Sequence, residues 1–286
     1  MVCIYISNLA LILLTCGTSP QVAYDEMMAA GITFVDTSEN YGIQSRSKSL
    51  SAEQILCQCM DTNTDASPIV ASTLSNPWKS IKLGTGFRVG QSSILKAIEA
   101  SAERLGTGAI DLYQIPGNMF YIGTPNCVVK AVCAAMDQGL INNVGVSNFG
   151  KNRMRSFAKK LDKIGGYPLT SNQFEFSLIN RKAYKSGLIA ACKSLGVIPI
   201  ARDPLGGGLA SGVYTSSNPT GGQTGSQPFD FKTLDKYSTL HDVLATVQQK
   251  VQKRLEKENN ALKDKRSRYN GSPVSHDERT VRICHF

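Results

Sequence analysis

Gly31-Ile32-Thr33-Phe34-Val35-Asp36-Thr37-Ser38-Glu39-Asn40-Tyr41-Gly42 reads as a buried strand that ends in chemistry. Ile32, Phe34 and Val35 form a short β-branched and aromatic run, the composition of a strand. An acid, Asp36, closes the run; five residues on comes a phenol, Tyr41, and then a turn glycine, Gly42. Open and closed α/β sheets place ligands and reacting groups beyond the carboxyl ends of their strands. Asp36 and Tyr41 are therefore the first candidate site residues.

Outward from this stretch, strand and helix patterns alternate. Gln21 to Ala30 has helical spacing, with Val22, Ala23, Met27 and Ala30 apolar, and Gly31 stops it. Downstream, Ser51 with Gln54 makes a capping box for a helix carrying Ile55, Leu56, Cys59 and Met60. Ile69 to Leu74 is the next strand, and Ser92 or Ser93 caps a helix that ends at Gly106. Ala109 to Ile115, Asn143 to Asn148, Leu169 to Phe174 and Val197 to Ala201 read as strands. The intervening helices are Cys127 to Gln138, Arg153 to Ile164 and Tyr184 to Leu195. Such alternation calls for a parallel sheet. With this many units and no Gly-x-Gly-x-x-Gly after any strand, a TIM-type (β/α)8 barrel is expected rather than a doubly wound sheet.

The two ends are less regular. Met1 to Thr18 is apolar but lacks a basic start and is too short to span a bilayer, so it reads as a first barrel strand, with a weak signal peptide as the alternative. Gly206 to Phe231 is a Gly, Ser, Thr and Pro-rich rim loop; Leu240, Leu244, Val247, Val251 and Leu255 give a further helical stripe, read as the barrel's seventh outer helix. No eighth strand is visible beyond Glu258. The expected organisation is an incomplete barrel over residues 1–258 and a basic tail over 259–286, as in a shortened or frame-shifted version of a longer protein.

Composition narrows the function. Net charge is +9 over 286 residues, with ten Lys/Arg against five Asp/Glu in residues 248–286, so the body is nearly balanced. The basic end has few aromatics on which bases could stack, which argues against nucleic acid. The eight cysteines show no CxxC and read as small core hydrophobes of a reduced compartment. All three histidines, His241, His276 and His285, lie in the last fifth of the chain. That inventory excludes a histidine-centred metal or triad site in the body.

Asp36-Thr37-Ser38-Glu39-Asn40-Tyr41-Gly42 resembles the Asp-Thr-Ala-x-x-Tyr-Gly signature of the aldo-keto reductases, with Ser38 in the alanine slot. Three further segments match in order. Leu105 to Gln114 resembles that family's fourth strand, and Gln138-Gly139-Leu140-Ile141 leading to Gly145-Val146-Ser147-Asn148-Phe149 its fifth. Ser171-Asn172-Gln173-Phe174, followed by Gly187 to Pro204-Leu205, resembles the sixth and seventh. The resemblance, over roughly residues 20–258, implies hydride transfer from NADPH to a carbonyl carbon while a tyrosine hydroxyl protonates the oxygen. It makes Tyr41 the acid and Asp36 the strand-end aspartate. Ser147, Asn148 and Gln173 become contacts of the nicotinamide carboxamide, with Leu205 and Gly208 completing the cofactor set.

Other family positions are altered. The lysine that pairs with the aspartate and tunes the phenol belongs where Thr73 stands; Lys79 and Lys82 are the nearest cations downstream. The carbonyl-orienting histidine should follow Gln114-Ile115, where Pro116-Gly117 stands instead. Arg202-Asp203-Pro204-Leu205 occupies the Tyr-Ser-Pro-Leu slot, putting a cation where a ring stacks on nicotinamide. The family's 2′-phosphate pocket follows the eighth strand, and Arg279 and Arg282 in the tail are weighed as stand-ins. Two readings of function follow. One is an NADP(H)-dependent reductase of a small carbonyl substrate; the other is a non-catalytic relative that binds nucleotide or protein. A cytoplasmic chain is expected, with a plastid as the alternative compartment, no membrane partner, and the oligomeric state open.

Overall fold

The structure, a computed structural model, describes residues 3–4, 19–39, 41, 50–75, 90–117, 125–211, 214, 219, 237–251 and 253–254. Contacts divide the chain into two units, Met1–Gly207 and Gly208–Phe286. Gly42, Lys79 and Lys82, Arg279 and Arg282, the tail 259–286 and most of the stretches 1–18 and 206–231 fall outside the described residues.

The first unit alternates strands and helices. The strands are β1 (Cys3–Ile4), β2 (Phe34–Asp36), β3 (Ile69–Thr73), β4 (Leu112–Pro116), β5 (Val144–Ser147), β6 (Leu169–Glu175) and β7 (Ile198–Arg202). The helices are α1 (Pro20–Ala29), α2 (Ala52–Thr62), α3 (Gly90–Leu105), α4 (Pro125–Asp137), α5 (Lys151–Gly165), α6 (Lys182–Lys185) and α7 (Leu188–Ser194). Strand order is β1-β7-β6-β5-β4-β3-β2, with every neighbour parallel. Six of these strands, β2 to β7, curl in sequence order as an incomplete (β/α)8 barrel. The first strand joins the sheet beside β7, with Cys3 opposite Ile200 and Ile4 opposite Ala201.

Strand alternation sorts the side chains into two cores. On the outer face Val35, Val70, Leu74, Tyr113, Ile115, Val144, Val146 and Phe174 pack with Leu56, Ile98, Leu105, Val129, Val132, Met154 and Leu161 of the helices. On the inner face Phe34, Ala71, Leu112 and Ile200 form a smaller apolar cluster. Two residues along each strand from that cluster, toward the carboxyl ends, the inner face turns polar, with Asp36, Thr73, Gln114 and Arg202.

The outer core also contains a charge. Glu53, fully buried on α2, takes a hydrogen bond from Ser72 Oγ at 2.6 Å and an ion pair from Arg104 Nε at 2.6 Å. Burial raises the Glu53 carboxyl above its ordinary range, and Arg104 draws it part of the way back.

Most sequence boundaries hold to within a few residues, the capping box included: Ser51 Oγ accepts from Gln54 N, and Gln54 Oε1 from Ser51 N. Two expectations change. The helix expected over Tyr184 to Leu195 is two short helices, because Gly187 takes a left-handed φ of 73° that ends α6. The strand expected from Ala109 begins as an isolated bridge between Ile110 and Ile141, and the ladder resumes at Leu112. Between them the Asp111 carboxylate turns away to accept from Val70 N. In the second unit residues 237–250 are helical, with Val247 and Val251 near half exposure at 48% and 45%.

Candidate active site

Asp36 ends β2 on the inner face and is 2% exposed. Its carboxylate accepts from two amides on alternate strands, Gln114 Nε2 of β4 at 2.8 Å and Gln173 Nε2 of β6 at 3.3 Å. Side chains from alternate strands meeting in one layer is the packing of a closed parallel barrel. Burial dominates the energetics: the Asp36 carboxyl is pushed up to about 7, although both amides favour its charged form.

Tyr41 follows on a short turn whose backbone is tied at both ends. Its N–H donates to Ser38 O, and its carbonyl accepts from Ala52 N at the start of α2, both at 3.0 Å. The preceding residues are anchored to β3: Thr37 N donates to Ala71 O, and Ser38 Oγ to Thr73 O. Burial and the neighbouring Asp36 charge push the Tyr41 phenol up to about 12, and the Arg202 cation works against them. Asp36 and Arg202 therefore each lie within electrostatic reach of Tyr41 at the carboxyl end of the sheet.

The register explains what occupies the altered family positions. Thr73 pairs with Gln114 across β3 and β4, and the same Gln114 Nε2 lies 3.4 Å from Thr73 Oγ1. The group that reaches the Asp36 carboxylate past Thr73 is thus an amide from the next strand. Pro116 is the last residue of β4, one beyond the expected strand, opposite Ser147. Gly117 then packs so closely on the start of the β5–α5 connection that a Cβ there would collide with Asn148 O. Arg153 caps the Gly117 carbonyl while its guanidinium lies 4.3 Å from the Phe149 ring centroid. Backbone atoms of Ser147 and Asn148 therefore fill the space beside Gly117.

Of the expected cofactor contacts, Ser147 is buried at the end of β5 and Asn148 stands exposed just beyond it, with a left-handed φ of 60°. Asn148 N donates to Gln173 O, and its side-chain amide reaches Ser147 Oγ only at 3.4 Å. Gln173 faces Asp36, as described. Leu205 is 51% exposed, and Gly208 belongs to the second unit. Gln114 and the proximity of Arg202 to Tyr41 are the features that sequence reasoning missed. Position on the inner rung was their only signal, and that requires the register. Among the described residues no group of three or more His, Cys, Asp or Glu is placed to hold a metal, and no helix is long and apolar enough to cross a membrane.

Comparison with known proteins bears on the family and the fold. A family model described as "Aldo/keto reductase family" matches residues 19–263. The chain is similar to the chloroplastic pyridoxal reductase of Arabidopsis thaliana, 27% identical over 208 residues, covering 70% of this chain and 54% of that protein. It is also similar to an uncharacterized oxidoreductase of Mycobacterium tuberculosis, 32% identical over 225 residues, covering 77% of this chain and 60% of the relative. The chain thus spans little more than half the length of these relatives. A thermostable aldo-keto reductase crystallised with the inhibitor epalrestat shares the fold, with a TM-score of 0.50 at 22% identity over 65% of this chain and 60% of that one.

Proposed function

The chain belongs to the aldo/keto reductase family, and from that premise we propose that it is an NADP(H)-dependent oxidoreductase that reduces an aldehyde or ketone to an alcohol. The observation that carries the reading is the placement of Asp36 and Tyr41, coupled to each other, at the carboxyl end of the inner face. A phenol held at about 12 stays protonated through the physiological range, so Tyr41 retains the proton that a carbonyl oxygen needs. It is a weak acid at that value, which implies slow turnover.

Ser147 and Asn148 suit the cofactor's carboxamide, because the hydroxyl and the exposed amide make only one long contact with each other. Together with Gln173 and Leu205 they would hold NADPH, which when bound supplies the hydride. Asp36 acts on Tyr41 through its field and through the β2 end that it anchors.

The close packing of Gly117 on Asn148 favours a second reading, a relative that binds nucleotide or a protein partner without catalysis, since no side chain there orients a carbonyl. Fluorescence titration with NADPH, followed by its oxidation in the presence of nitrobenzaldehyde, separates the two. Turnover that falls about 10²- to 10⁴-fold in Tyr41→Phe supports the reductase, the usual contribution of a positioned general acid. Binding without turnover supports the second reading.

A further inference from the structure

Among the described residues, Arg202 makes no ion pair. It ends β7 one inward rung beyond Ile200, which belongs to the inner apolar cluster, so its side chain leaves the sheet toward the mouth that holds Tyr41. Its Nε is buried and has no hydrogen-bond partner among the described residues. The carboxylates nearest in sequence and register are not its partners. Asp203, held at a φ of 57°, turns its Oδ1 to accept from Gly207 N at 2.7 Å. Glu175, the register partner on β6, is exposed and makes no ion pair with it. Asp36 takes its hydrogen bonds from Gln114 and Gln173. A half-buried guanidinium with an orphaned donor is costly unless something anionic completes it. Its planar fork matches carboxylate and phosphate oxygens.

We propose that Arg202 is an anion-binding residue at the mouth of the site, taking a carboxylate or phosphate group of the bound ligand. Beside Tyr41 that group belongs either to a carbonyl substrate with an acidic substituent or to a phosphate of the cofactor. This rests on the reductase reading for its choice of ligands. The binding claim itself is tested without turnover.

The full chain, Arg202→Gln and Arg202→Lys are compared in three measurements. In thermal unfolding, inorganic phosphate added at constant ionic strength raises the midpoint of the wild type and of Arg202→Lys but not of Arg202→Gln, although all three keep the basic tail. In nitrogen-detected spectra of the wild type, the Arg202 Nε–H resonance, assigned by its loss in Arg202→Lys, shifts on phosphate titration; this decides the matter even if Arg202→Gln does not fold. In NADPH oxidation, Arg202→Gln loses the preference for succinic semialdehyde over butanal by about 10- to 100-fold, the value of one charge-assisted hydrogen bond. If instead that preference is unchanged and the NADPH dissociation constant rises by a similar factor, the anion is the cofactor's phosphate. A phosphate response identical in wild type and Arg202→Gln, or an Nε–H resonance that phosphate leaves unmoved, overturns the proposal. Absence of turnover with both aldehydes overturns the reductase reading and leaves the phosphate measurements to decide this one.

Discussion

Gln114 Nε2 donates to Asp36 Oδ1 at 2.8 Å across the curl of the sheet, from β4 to β2. A neutral amide is thus the principal partner of a carboxyl group that is 2% exposed. An amide satisfies a lone pair without offsetting the charge, so the cost of desolvation stays largely unmet.

The pH dependence of stability follows from that pairing. The Asp36 carboxyl sits at about 7 in the folded chain, against an ordinary value near ~3.9 when unfolded. Its contribution to stability is fully present below pH ~4 and is lost as pH rises through ~7, because folding in that window takes up a proton. The slope approaches ~1.4 kcal/mol per pH unit within the window. Asp36→Asn should flatten it and be the more stable protein at pH 8. Urea unfolding of both at pH 4, 6 and 8 checks this; parallel profiles would remove Asp36 as the cause.

Thr73→Lys should restore a cation beside the buried acid. Thr73 Oγ1 is 3.4 Å from the amide that contacts Asp36, so a lysine there competes with Gln114 for the carboxylate. The Asp36 carboxyl should fall below its present position, and turnover should rise by at least about tenfold, a fraction of what a positioned general acid contributes. Steady-state NADPH oxidation reads the second effect, and the urea series repeated on the variant reads the first.

Arg104→Met should be severe at neutral pH. It strands Glu53, which has no exposure and holds Arg104 Nε at 2.6 Å. Removing one partner of a buried pair costs about 3–5 kcal/mol. The loss should shrink as pH falls and the carboxyl takes up a proton, beginning above its ordinary range because burial raises it. Glu53→Gln, which keeps an acceptor for Ser72, should be milder. Chemical denaturation at pH 7 and pH 4 compares them, and equal losses at the two values would place the cost in packing instead.

Gly117→Ala tests the close approach of the β4 and β5 ends. The added methyl would collide with Asn148 O and meet Ser147 O at 2.9 Å, both backbone atoms. A loss of about 1–3 kcal/mol is expected from overpacking, with weaker NADPH binding as Asn148 is displaced. Gly150→Ala, where nothing lies within 4 Å, is the control. Equal midpoints in thermal unfolding would show that the β4 and β5 ends part freely.

The alternating pattern of short apolar strands and amphipathic helices was enough to set the barrel class, because period 2 and period 3.6 are properties of consecutive residues. Asp36 and Tyr41 were likewise legible, since a strand end and its following loop are continuous in the chain. The pairing of Asp36 with Gln114 was not, although both residues were in view. It joins positions 78 residues apart, and depends on the stagger that sets Thr73 against Gln114 and Ser147 against Gln173. The same holds for Arg202, whose place beside Tyr41 comes from the curl that brings β7 toward β2. Local pattern settles which residues form the rungs; only the closing curvature of the sheet decides which rungs share a level, and therefore which charges meet.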